Sequence, residues 1–466
     1  MTMKNIFFIL ILILPIISYI SFPLKKEKIS SQPDINNPKE IFSSFLDSRL
    51  YINLNIGSNK IDIKAFLIQS KTELIIAGKN INHKYDETQS STYNMTNKNK
   101  VSFQFGMYSE GILSKDNFNI LNNNDELNNY NIDFILGTKG SSAYIDIKEA
   151  QVGLHLPLLQ SYSEYNLIRS LKNNNVTTSY NWYLDFDDFN SNEGKMIVDG
   201  FPHDLNNKKY FDKNFVKSNA IDRHYAVLWG LKFSSINYGN QNLALGLDLR
   251  AHFGFDYGII SASKEAGELF ESLFFEKYIS KNICFKEKVG VYGNYFFYCK
   301  KNDEFNIQNF DSIYFNCPDL DITFELDYKD LFYIDNDNIY FLIEFSKNTK
   351  IWNFGEIFLR KYYIVFNQDE KTLGYYKNME KPKKDKDKNE NMMKNNTSWY
   401  NSLIIILVII ILAICVISMG VYIYKNKKNR KKKANELDDE YNYEPKFDLN
   451  YDNNNNNLIG DDKIIN

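Results

Sequence analysis

The chain has 466 residues, a formal net charge of -3 and 15% aromatic residues, among them 33 Tyr and 35 Phe. So small a net charge offers no broad basic footprint, which argues against a nucleic-acid-binding function. The length exceeds what one small core needs and suits two lobes, and the abundance of aromatic and β-branched residues favours strands over helices.

At the amino terminus, residues 5–22 form an apolar run broken by Pro15 and flanked by Lys4 on one side and Lys25 and Lys26 on the other. The run reads as a secretory signal peptide over residues 1–22, with an uncleaved anchor as the alternative because no small-residue pair marks a cleavage site. Residues 23–48 then read as a leader or linker. From there, apolar stretches recur at residues 50–56, 61–68, 74–77, 101–105 and 132–136, bounded by Gly, Asn, Asp and Ser, a pattern that predicts hairpins and an all-β architecture. The clearest helix is predicted over residues 264–280, opened by Ser263 with Glu265 and Glu268 in its first turns.

Towards the carboxyl terminus, residues 381–402 alternate Lys with Asp and read as a solvated stalk. Residues 403–424 carry no charge and are long enough to cross a hydrocarbon core of about 30 Å at about 1.5 Å per residue. The basic cluster from Lys425 to Lys433 would stay on the cytosolic side, giving a single-pass type I protein of the secretory pathway with a luminal or extracellular ectodomain. The tail, residues 425–466, ends acidic and Asn-rich with too few apolar residues for a core, and it reads as disordered.

Of the four cysteines, Cys415 falls within the apolar run, leaving Cys284, Cys299 and Cys317 in the ectodomain. An oxidising compartment would allow one disulfide and leave one thiol, unless that thiol pairs with another chain. Sequons at Asn94, Asn175, Asn395 and Asn396 are compatible with glycosylation, though such triplets arise readily in an Asn-rich chain. The histidines His83, His155, His203, His224 and His252 show no paired metal-ligand spacing, so neither a metal nor a cofactor is expected. No Gly-x-Ser-x-Gly elbow is present, Cys299 has no activating signature beside it, and Asp185, Asp187 and Asp188 read as a solvated loop.

Six segments carry a resemblance to a known family. Leu50-Tyr-Ile-Asn-Leu-Asn-Ile-Gly57 is followed by Ile61-Asp-Ile-Lys-Ala-Phe-Leu67, then by Tyr85-Asp-Glu-Thr-Gln-Ser-Ser-Thr-Tyr93, Gly111-Ile-Leu-Ser-Lys-Asp-Asn-Phe118 and Ile132-Asp-Phe-Ile-Leu-Gly137. The most specific segment is Trp352-Asn-Phe-Gly-Glu-Ile-Phe-Leu-Arg-Lys-Tyr-Tyr-Ile-Val-Phe366. In this order the segments resemble the pepsin-like aspartic proteases, with Ile132–Gly137 matched to the Asp-Gly-Ile-Leu-Gly motif of the amino-terminal lobe. The resemblance implies a bilobal all-β fold with lobes at residues 49–200 and 201–380, a hairpin flap over the cleft and one catalytic loop per lobe. It also implies a disulfide in the second lobe, for which Cys284 with Cys317 is the expected pair and Cys284 with Cys299 the alternative. The Asn, Lys, Ile and Tyr usage suggests an AT-rich genome, and the membrane-anchored plasmepsin-like members of the family occur in apicomplexan parasites.

Peptide hydrolysis on this fold needs two facing carboxylates that share one proton. Aligned on the family's first loop, Ile68 stands at the aspartate position, with Gln69 and Ser70 in place of Thr and Gly. In the second loop the ungapped alignment puts Gly254 at the aspartate position, whereas a two-residue gap would read Asp256-Tyr257-Gly258 as a degenerate turn. Phe105 matches the flap tyrosine, with Tyr108 close by as a substitute. The expectation is therefore a catalytically inactive, membrane-anchored protein that binds a peptide or protein in its cleft or on its surface. Two alternatives stand beside it: an active protease using Asp256 with Glu73 or Glu110, and a surface adhesion or coat protein.

Overall fold

The computed structural model describes residues 19–28, 34, 36–69, 71–81, 84–102, 108–122, 126–140, 149–156, 163–187, 191–204, 210–223, 226–243, 249–290, 293–335, 337–377, 424, 425 and 427. The chain divides into a unit of residues 1–381 and a unit of residues 382–466. In the second unit the described residues are Tyr424, Lys425 and Lys427, which are helical. The rest of the expected span, the stalk sequons Asn395 and Asn396 and the remainder of the tail lie outside the described residues. Among the described residues no helix is long and apolar enough to cross a membrane.

The first unit begins with strand β1 (Ile20–Lys28), helix α1 (Pro38–Leu46), and strands β2 (Ser48–Ile56), β3 (Ile61–Ile68) and β4 (Leu74–Ala77). Strands β5 (Asn94–Ser102), β6 (Tyr108–Asn122), β7 (Leu127–Gly140), β8 (Ala150–Gly153), β9 (Asn181–Phe186) and β10 (Glu193–Val198) complete its first lobe. The β2–β3 hairpin follows from alternation: Leu50, Ile52, Leu54 and Ile56 point inward and are buried, while Asn53 and Asn55 stay partly exposed on the other face. The turn between the two strands uses Gly57 at a φ of 80°, a conformation that glycine adopts without steric cost.

Residues 20–22, within the stretch that reads as a signal peptide, form strand β1 together with residues 23–28, and residues 38–46, within the stretch that reads as a leader or linker, form helix α1. Strand β1 pairs antiparallel with both β10 and β2, and its alternate residues Ile20, Phe22 and Leu24 are buried in the core. Helix α1 is capped by the Asn37 side chain, which accepts from the Lys39 backbone N–H, and Pro38 suits its first turn. Its Phe42 stacks on Phe296 at 3.9 Å, so the segment joins the packing of the second lobe.

Among the described residues one sheet of thirteen strands runs Phe215–Asn219, Thr372–Tyr376, Val365–Asn367, β9, β10, β1, β2, β3, β8, β4, β7, β6, β5. The two carboxyl-terminal strands thus hydrogen-bond beside β9 and tie the lobes together. The second lobe holds a nine-stranded and a four-stranded sheet. The helix expected over residues 264–280 is present as Lys264–Phe270 continued by a π-helical turn and Glu276–Ile279, with Ser263 accepting from Ala266 N–H at 3.2 Å.

The expected Cys284–Cys317 disulfide is corrected: Cys284 is bonded to Cys299. The reason is register, because the hairpin Cys284–Val289/Asn294–Lys300 places Cys284 and Cys299 directly opposite each other. Cys317 lies opposite Ile322 in the four-stranded sheet, buried and unbonded, with burial pushing its thiol up to about 11.

Candidate functional site

The loop after β3 and the loop after strand Arg250–Phe253 are built on the same plan. In the first lobe β3 runs parallel to β8, and the register sets Ile68 beside Gly153. Leu154 N–H donates to the Ile68 carbonyl at 2.9 Å, and Gly153 N–H donates to the Glu73 carbonyl at 2.9 Å. A side chain at Gly153 would meet the backbone of Thr72 and Glu73 at 2.5 and 2.6 Å, so only glycine lets the loop lie this close. In the second lobe Arg250–Phe253 runs parallel to Trp352–Phe354, which sets Gly254 beside Gly355. Gly254 N–H donates to the Phe354 carbonyl at 2.8 Å, Glu356 N–H donates to the Tyr257 carbonyl at 3.0 Å, and a side chain at Gly355 would strike the Ile259 and Tyr257 carbonyls. Strand β4 begins six residues after Ile68, and Ile260–Ser263 begins six residues after Gly254. By this register Ile68 and Gly254 occupy corresponding positions of the two half-sites.

The strand partner of the first half-site was missed in the sequence. The motif at residues 132–137 lies in β7, which runs beside β4, whereas the strand that meets Ile68 is Ala150–Gly153. The available signal was Gln151-Val-Gly153-Leu154, a short buried stretch ending in a glycine that parallels Asn353-Phe-Gly355-Glu356 in the other lobe.

The side chains at the two positions differ in character. Ile68 is 7% exposed and packs with Tyr51 and Phe66, cross-strand neighbours whose rings lie 5.6 Å apart, on the sheet face opposite Ile63, Ala65 and Leu67. At Gly254 a side chain would come within 2.8 Å of the Tyr257 ring and 2.9 Å of Asn353 Oδ1, so these two groups fill the space a carboxylate would need. Asp256 follows in the turn; burial pushes its carboxyl above the usual carboxylate range, and the Arg49 guanidinium opposes that shift. Arg49 is the second residue of β2, just beyond helix α1, and the end of that helix closes over the same turn: a side chain at Gly258 would strike Ser48 Oγ and the Phe45 carbonyl.

On the flap, Phe105 and the Tyr108 side chain lie outside the described residues, while the Tyr108 backbone opens β6. Glu110 is engaged by Lys100 at 3.1 Å and Lys139 at 3.4 Å, which hold its carboxyl below the usual range. Asn94 and Asn175 are exposed, the latter in a turn at a φ of 56°.

Between the two half-sites lies a cavity of about 580 Å³, within the range of small-ligand and peptide-side-chain pockets. Gln69 and His155 line it from the first lobe, and His252, Asp256, Ser261, Asn294, Glu344 and Asn353 from the second. The His155 imidazole is pushed down by burial, with its Nδ1 2.7 Å from the Leu156 carbonyl. Burial also raises Glu344, against hydrogen bonds to its carboxylate from Asn294 and Ser261. The shifts of Asp256 and Glu344 therefore come from burial, not from mutual repulsion of the kind that marks a proton-sharing pair. Among the described residues no group of three or more His, Cys, Asp or Glu side chains is placed to hold a metal ion.

No curated protein matches the chain. The family model described as eukaryotic aspartyl protease matches residues 66–377, a span that contains both half-sites, the cavity and the carboxyl-terminal strands, and the chain belongs to that family.

Proposed function

We propose that this protein is a membrane-anchored member of the aspartyl protease family that has lost catalysis and binds a peptide or protein segment in its cleft. One observation carries the reading: the corresponding positions of the two half-sites are held by Ile68 and Gly254, neither of which can ionise or hold a nucleophilic water. Loss of the carboxylates leaves the scaffold intact, since parallel strand pairing and the glycine contacts at Gly153 and Gly355 do not depend on them. The cavity beside these positions remains open to a side chain. Membrane attachment in this reading rests on the uncharged run 403–424 and the basic cluster after it.

A second reading, an active protease with an unusual carboxylate pair, draws on Asp256 and Glu344 lining one cavity with both carboxyls raised. The test is to assay the purified full chain between about pH 4 and 7 against a peptide library, with and without a statine-type transition-state analogue. We expect peptide binding without cleavage. Cleavage that the analogue blocks and that disappears in Asp256→Ala would establish the second reading in its place.

A further inference from the structure

The cavity between the half-sites is lined by two carboxyl groups, Asp256 and Glu344, and by residues that carry acceptors without donors. Asp256 Oδ1, Asn294 Oδ1 and Asn353 Oδ1 are buried and have no hydrogen-bond partner among the described residues, and all three residues line the same space. The orientation of Asn294 follows from its other end: Nδ2 donates to Glu344 Oε1 at 2.9 Å, which leaves the carbonyl oxygen facing outward from that bond. Buried acceptors without donors are costly, and three in one cavity beside a fourth acceptor group, the Glu344 carboxylate, match a ligand rich in donors. Arg49 faces Asp256 and acts on it through charge, but no hydrogen bond from it reaches Oδ1. His155 and His252 stand at the same cavity, and Tyr257, 40% exposed, stands at its edge.

Resting on the peptide-binding reading above, we infer that this cavity receives a cationic side chain, a lysine ammonium or an arginine guanidinium, of the bound segment. An ammonium carries three donors and a guanidinium five, and neither carries an acceptor, which is the complement of the lining described. A neutral aliphatic side chain of equal length would leave the acceptors unpaired, and an anionic one would meet Asp256 and Glu344 as like charges. Selectivity for the cation therefore arises from the Asp256 and Glu344 carboxyls and the unpartnered acceptors, beside the donors that Gln69, His155, His252 and Ser261 bring to the same lining.

The test titrates the purified full chain with a labelled short peptide carrying one lysine among alanines, with its arginine counterpart and with its acetyl-lysine counterpart, reading fluorescence anisotropy. In parallel, n-butylammonium is titrated by calorimetry. The lysine or arginine peptide is expected to bind at least about tenfold more tightly than the acetyl-lysine peptide, with n-butylammonium competing. Glu344→Gln and Asp256→Asn, both isosteric and checked for folding by near-ultraviolet circular dichroism, should each remove most of that preference. Equal binding of the lysine and acetyl-lysine peptides overturns the cation assignment and leaves the peptide reading standing. Binding of n-butylammonium that Glu344→Gln abolishes, without binding of any peptide, upholds the cavity and overturns the peptide reading. Binding of neither probe overturns both.

Discussion

The two half-sites share a backbone and differ in what their side chains do. Around Ile68 the position has been absorbed into packing, with Tyr51 and Phe66 closing an apolar cluster over it. Around Gly254 the position is empty of side chain but its surroundings stay polar, with Asp256, Asn353, Asn294 and Glu344 converging on one cavity. A buried apolar cluster contributes stability, whereas buried acceptors without donors oppose it. The first half-site is therefore part of the core and the second lines a polar cavity, on strands of the same register.

If the shared plan is real, the glycines beside the two positions should be equally intolerant. Gly153→Val and Gly355→Val each drive a branched side chain into the backbone of the facing loop, and each is expected to cost about 3 kcal/mol or more, enough to lower expression of folded protein. Urea titration monitored by tryptophan fluorescence measures both. A large loss at one glycine and none at the other would break the equivalence.

The contrast in side chains is sharpened at Ile68. Ile68→Asp removes apolar packing and buries a carboxyl against Tyr51 and Phe66, and should cost about 3 kcal/mol, while Ile68→Leu should cost less than about 1.5 kcal/mol. The double variant Ile68→Asp, Gly254→Asp is expected to show no analogue-inhibited cleavage, because Tyr257 and Asn353 occupy the second position. A smaller difference belongs to the second lobe alone. Replacing Cys284 and Cys299 by serine opens a link across 15 residues and should cost roughly 2–3 kcal/mol, and peptide mapping without reduction should recover those two cysteines joined and Cys317 alkylated only after unfolding.

Much of the scaffold is legible in the sequence, and the site much less so. Strands 61–68 and 74–77 lie where alternation and bounding polar residues put them, because each exposes one face or ends at a turn. Ala150–Gly153 escaped notice since a short strand paired on both sides is buried on both faces and shows no alternation. Strand β1 was hidden for another reason: Ile20 and Phe22 continue an apolar run that has the composition of a leader, and pairing with β10 is a contact across more than 170 residues. The choice of disulfide turned on register, which cysteine spacing does not encode. The cavity was invisible for the same reason, as Gln69, Asp256, Asn294, Glu344 and Asn353 meet only after two lobes have folded.

The smallest effect tests most directly whether the second half-site holds a surplus acceptor. Asp256 has one carboxylate oxygen buried without a donor, and burial raises its folded-state value above the ordinary 3.8. Between those two values the folded chain binds more protons than the unfolded chain, so stability falls as pH rises through that window, and the cost is complete above the folded value. Below about pH 3.8 both states are protonated and the cost vanishes. Asp256→Asn should therefore stabilise the protein by about 1 kcal/mol at pH 7.5 and leave it unchanged near pH 3, as read from urea midpoints at each pH. Asn keeps the volume and removes the charge, so the difference between the two pH values isolates the ionised form. Should Asp256→Asn weaken the fold at neutral pH, the carboxylate must be satisfied by Arg49 in solution, and the second half-site would be a structural ion pair like any other, with no surplus acceptor to offer a ligand.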